Sequence, residues 1–72
     1  MRIINQSKDA SYEFESSTVS LHDRMIFMRN NYTNAGHGII GTYADELRTR
    51  EVFIDIHEKY CKGDANYFMP GE

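Results

Sequence analysis

The alternation of apolar and polar residues is most regular between Gly38 and Tyr60. Gly38-Ile39-Ile40-Gly41-Thr42-Tyr43 is a short apolar run, extended in character. Thr49, Val52, Phe53, Ile56 and Tyr60 then follow at i, i+3, i+4, i+7 and i+11. That spacing draws one stripe down an amphipathic helix, and such a stripe needs a sheet or a second helix to cover it. The expectation is a strand over 39–43 and a helix over about 45–62. Asp45 is a better cap than Ala44, and Asp45 and Glu46 put negative charge at the positive end of the helix dipole. Gly63 closes the helix as a left-handed C-terminal residue. Glu46/Arg50, Asp55/Lys59 and Glu58/Lys62 are acid-before-base pairs four apart and describe a solvated outer face.

Upstream the period changes to two. Residues 2–6 read as a first strand closed by the turn-prone Ser7-Lys8-Asp9. Tyr12 and Phe14 alternate with Glu13 and Glu15, the mark of a half-buried strand. The alternation runs on less cleanly through Val19 and Leu21, with Ser16-Ser17 as a bulge or kink. His22-Asp23 sits where a tight turn joins this strand to the apolar run 24–29, the expected central strand. Residues 30–36 are polar and form the longest loop, in which Tyr32 stands among asparagines as a contact anchor. Tyr67-Phe68-Met69 makes a short last strand before Pro70, pairing within or between chains. The expected fold is α+β: a small antiparallel sheet of four to five strands with one helix packed on one face.

Size narrows the picture further. The chain has 72 residues, which makes one domain near the lower limit for independent folding. Cys61 is the only cysteine, so no disulfide within the chain supports the core. Self-association is the remaining device, and a homodimer is expected. The first residues are too few and too polar for a signal peptide, and no apolar run approaches a membrane span, so the expected location is cytoplasmic. A net charge of −3 argues mildly against a general nucleic-acid binder without excluding a local basic face.

Four patterns look chemical. Gly36-His37-Gly38-Ile39-Ile40-Gly41 has the letters of a dinucleotide fingerprint, but a polar loop precedes it and strand follows, so no cofactor is expected. His57 and Cys61 lie one helical turn apart; two ligands do not make a zinc site, and a small, partly buried thiol is the simpler reading. Ser20, His22 and Asp23 contain the letters of a hydrolytic triad without its convergent geometry. Arg2, Arg24 and Arg29, with Tyr12, Tyr32 and Phe27, would make a basic, aromatic-dotted sheet face for single-stranded nucleic acid.

The opening Met1-Arg2-Ile3-Ile4-Asn5-Gln6, the segment Ser11-Tyr12-Glu13 and the run Gly41-Thr42-Tyr43-Ala44-Asp45-Glu46 carry a resemblance. They are similar to a loose group of small proteins of phages, prophages and mobile elements of clostridia-like bacteria. Those proteins open on an "MRIIxQ" strand, continue through a "PYE"-like strand and carry a "TYSTEE"-like turn before a helix. Here Ala44 replaces the usual serine and Ser11 a frequent proline. The resemblance implies a genomic context rather than a chemistry. It points to a non-enzymatic binding protein in the host cytoplasm that blocks a host protein, as anti-defence and anti-CRISPR inhibitors do. The expected contact residues are Tyr32, Asn31, Asn34 and His37, with the acidic Glu13 and Glu15. The alternatives are the nucleic-acid face, and a small ligand-binding protein or hydrolase.

Overall fold

The computed structural model describes residues 1–32 and 38–72. Strands β1 (Arg2–Ile4) and β2 (Ser11–Glu13) form an antiparallel pair, followed by a single 3-10 turn (Phe14–Ser16). Strands β3 (Ser17–His22), β4 (Met25–Asn30) and β5 (Gly38–Thr42) come next, then helix α1 (Glu46–Cys61) and strand β6 (Asn66–Phe68). The class is α+β as expected, but the strands form two three-stranded sheets rather than one, ordered β2-β1-β6 and β3-β4-β5. The last strand pairs within the chain. It lies parallel to β1, with Ile3 opposite Tyr67, so the first sheet is mixed.

The division into two sheets follows from Ser16 and Ser17. Both hydroxyls turn back to the Glu13 carbonyl, Ser17 Oγ at 2.7 Å, and the Ser17 amide bonds the Phe14 carbonyl. Serine hydroxyls that bond nearby backbone compete with a sheet ladder. The alternation that begins at Tyr12 therefore stops at Glu13 and resumes in a different sheet. Asn5 holds the β1–β2 turn in the same manner. Its buried amide accepts from the Asp9 and Ala10 backbones and donates to the Asp9 carboxylate at 2.9 Å. This bond, with a second from Ser7, holds the Asp9 carboxyl below its usual range.

The β3–β4 hairpin turns where expected, with Asp23 in the left-handed region at φ 54°, a conformation that Asp tolerates. The β4–β5 ladder contains a bulge: Phe27 faces Ile39 and Ile26 faces Gly41, leaving Ile40 unmatched. The bulge turns both Ile40 and Gly41 inward and frees the Ile40 carbonyl to accept from the Gln6 amide at 2.8 Å. Gln6 also joins the sheets through its side chain. Its Oε1 accepts from the Thr42 amide, and its Nε2 donates to the carbonyls of Thr42 and Gly71. This one side chain stands in for a ladder rung between β1, β5 and the C-terminal tail.

Asp45 caps α1, accepting from the Arg48 amide at 2.7 Å, and Gly63 ends it at φ 84°. Thr49, Val52 and Ile56 are buried against both sheets with Ile3, Ile26, Met28, Ile40, Tyr43, Tyr67 and Met69. Phe53 is half-buried and Tyr60 emerges at the end of the stripe. Of the three acid-before-base pairs, Asp55–Lys59 closes, at 2.9 Å. Asp55 is more than a surface charge: its other oxygen accepts from the buried Tyr67 hydroxyl at 2.7 Å, tying the helix to β6.

Candidate functional site

Three surfaces carry the residues the sequence singles out. The first is the end of the molecule where β4 leaves the sheet. The Asn31 amide donates to the Ser16 carbonyl at 2.8 Å, and its side-chain oxygen accepts from Thr18 Oγ1 at 2.7 Å. The Tyr32 amide donates to Asn30 Oδ1 at 2.8 Å. The backbone beneath Tyr32 is thus held by two asparagines, while its side chain is 82% exposed. The same contacts bring Asn31 beside the 3-10 turn that carries Glu15. Asn34 and His37 lie outside the described residues, as do two positions of the glycine motif. Its remaining glycines, Gly38 and Gly41, lie in the antiparallel strand β5, a setting unlike a helix-opening phosphate loop.

Glu13 and Glu15 do not share a strand face, because the chain turns between them. Glu13 is exposed opposite Arg2 at the end of β2. Glu15 receives the Met1 amine on both carboxylate oxygens, 2.8 Å to Oε1, which holds its carboxyl below the usual range.

The second surface is the outer face of β3-β4-β5. Phe27 and Arg29 point to the same side of β4, opposite Ser20 and Thr18 of β3, with exposed Ile39 beside Phe27 on β5. The structure separates the rest of the expected basic, aromatic face. Arg24 lies in the hairpin turn. Arg2 belongs to the other sheet, where it donates to Ser11 Oγ at 2.8 Å. Tyr12 pairs with Ile3 and packs on the core. Ser20, His22 and Asp23 line this open face without converging. His22 and Asp23 are 3.4 Å apart and largely exposed.

The third surface is the outer side of α1, where Phe53, Ile54, His57, Glu58, Cys61 and Lys62 line an open groove of about 500 Å³. Phe14 of the 3-10 turn packs on His57 and Tyr60, its ring centroid 4.6 Å from that of Tyr60. His57 Nδ1 lies 2.8 Å from the Phe53 carbonyl. A carbonyl only accepts, so Nδ1 carries a proton and donates to it. Cys61 is exposed rather than partly buried, because it lies on the side of α1 away from Val52 and Ile56. Among the described residues no three His, Cys, Asp or Glu side chains converge on a point where a metal would sit. Nor, among those residues, is any buried side-chain nitrogen or oxygen left without a partner. No described helix is long and apolar enough to cross a membrane.

The sequence reading missed this outer side. Leu47, Ile54 and Cys61 recur every seven residues on the face opposite the stripe, and that second period was the available signal.

No family model, curated protein or solved structure matches this chain.

Proposed function

We propose that this chain is a non-catalytic binding protein that acts by covering the surface of a partner protein, with Tyr32 as its contact anchor. One observation carries the reading: a large aromatic side chain stands 82% exposed on backbone that Asn30 and Asn31 hold in place. A side chain offered from a prepared base loses less freedom on binding, and tyrosine is among the residues that dominate interface energetics. Asn31 and the exposed polar groups of the 3-10 turn supply a rim of hydrogen-bonding groups around it. The resemblance to small phage proteins makes a cytoplasmic host protein, such as a component of anti-phage defence, the expected partner class.

The test is co-purification of a host protein with the tagged chain, repeated with Tyr32→Ala. Loss of the captured protein with an unchanged unfolding midpoint supports the proposal. Capture that survives the substitution, with the same protein recovered, overturns Tyr32 as the anchor.

A second reading rests on Phe27 and Arg29, which share the outer face of β4 as a single-strand nucleic-acid platform requires. Retention on single-stranded DNA that falls steeply with salt supports it, and no retention at low salt removes it.

A further inference from the structure

Helix α1 has two apolar faces, and the fold covers one. Leu47 is 72% exposed and Ile54 49% exposed, and Cys61 is exposed too. They are spaced by seven, roughly two turns, and form a narrow seam on the side away from the sheets. Polar and charged groups border it in order. At about 100° per residue, Arg50 and His57 fall on one flank of the seam and Glu51 and Glu58 on the other.

We infer that this seam is the contact between two copies of the chain, joined as a parallel helix pair about a two-fold axis running along the helices. The flanking charges decide the occupant and its direction. A two-fold axis parallel to the helices sets each flank of one copy against the opposite flank of the second. Arg50 then faces Glu51 of the second copy, and His57 faces Glu58 of the second copy. An antiparallel pair sets like flanks together, so Glu51 faces Glu58 of the second copy and Arg50 faces the second copy's His57. The two carboxylates, Glu51 against Glu58, disfavour that arrangement. Arg50 and Glu58 make no ion pair within the chain among the described residues, and Glu51 has a 3.7 Å contact with Arg48. The helix has 16 residues, so the seam is short, and the dimer is expected to dissociate at concentrations on the order of micromolar.

The parallel arrangement places the single cysteine of each copy against the other at the end of the seam. In the antiparallel arrangement Cys61 lies against Leu47 of the second copy, about 21 Å from the other thiol.

Sedimentation velocity of the full chain across a concentration series tests the dimer. The wild type is expected to show a reversible monomer–dimer equilibrium, and Ile54→Lys a monomer with unchanged far-ultraviolet dichroism. Should that variant fail to fold, Leu47→Lys, at a more exposed position, replaces it. Arg50→Glu is expected to weaken the dimer about tenfold, and adding Glu51→Arg to restore it. Diamide, which takes two protons and two electrons from the paired Cys61 thiols, is expected to link the dimer covalently and to link Ile54→Lys far more slowly. A monomer at every concentration overturns the inference. So does a dimer indifferent to Ile54→Lys, or one that diamide does not link. Tyr32 lies outside this seam, so the Tyr32→Ala experiment reads the partner surface independently.

Discussion

Replacing Tyr67 by Phe isolates the side-chain hydrogen bond between the C-terminal strand and the helix, leaving the ring packed in the core. The Tyr67 hydroxyl donates to Asp55 Oδ2 at 2.7 Å, while Lys59 holds Oδ1 at 2.9 Å. A hydrogen bond to a charged group contributes about 1.5–3 kcal/mol. The Asp55 side chain is 40% exposed, so water replaces the lost donor and no charge is stranded. The cost should fall at or just below the low end of that range, about 1–1.5 kcal/mol. In a domain of this size that corresponds to a midpoint lowered by roughly 5–10 °C.

The pH dependence gives the test its sign. Lys59, and then Tyr67, hold the Asp55 carboxyl below its ordinary range. Its contribution is therefore present above about pH 4 and is lost as pH falls through the lowered folded-state value. Burial, then the Asp55 carboxylate, pushes the Tyr67 phenol upward. Its contribution is present below about pH 10 and is lost as pH rises beyond that. Urea titrations of wild type and Tyr67→Phe should differ most between these limits. As pH falls through the lowered folded-state value of Asp55 the gap should shrink to about half, the value for a bond between neutral groups. A double-mutant cycle with Asp55→Asn should return a coupling of about 1 kcal/mol at pH 7. A gap that stays the same from pH 7 down through the Asp55 titration, or no coupling, refutes the reasoning.

Other substitutions probe the frame around the site. At Gly41 an added methyl would lie 2.9 Å from both the Met69 terminal carbon and the Tyr43 ring, so Gly41→Ala should cost about 1–3 kcal/mol in urea unfolding. At Gly71 nothing lies within 4 Å, so Gly71→Ala should leave the midpoint unchanged. Asp45→Ala removes the bond to the Arg48 amide and should cost about 1 kcal/mol, read as lost helical dichroism on heating. Ile56→Ala, at a fully buried position, should cost about 3–4 kcal/mol with the fold retained at low temperature.

Much of the helix was legible because its signals are local. A cap, an apolar stripe and a terminal glycine each act within a turn or two, and Asp45, Val52, Ile56 and Gly63 behave as their neighbours dictate. The hairpin at Asp23 was legible for the same reason. The candidate site was legible only in outline. Tyr32 and Asn31 stand out as polar-loop residues, but that Asn31 reaches Ser16 and Thr18 depends on pairing across strands.

Local spacing therefore determined which segments become strand or helix and which helix face turns inward, because backbone geometry converts spacing directly into a face. It did not determine which strands share a sheet. Ser16 and Ser17 had to satisfy the Glu13 carbonyl before β2 and β3 parted. Gln6 had to meet Thr42 and Gly71, and Tyr67 to meet Asp55, before the C-terminal strand settled parallel to β1. The serine bonds to Glu13 are local, but the partners of Gln6 and of Tyr67 are far apart along the chain, and their hydrogen bonds form only once the chain has closed on itself. Only the tertiary structure decided that Tyr12 packs against the core, and that Arg2 is parted from Arg29.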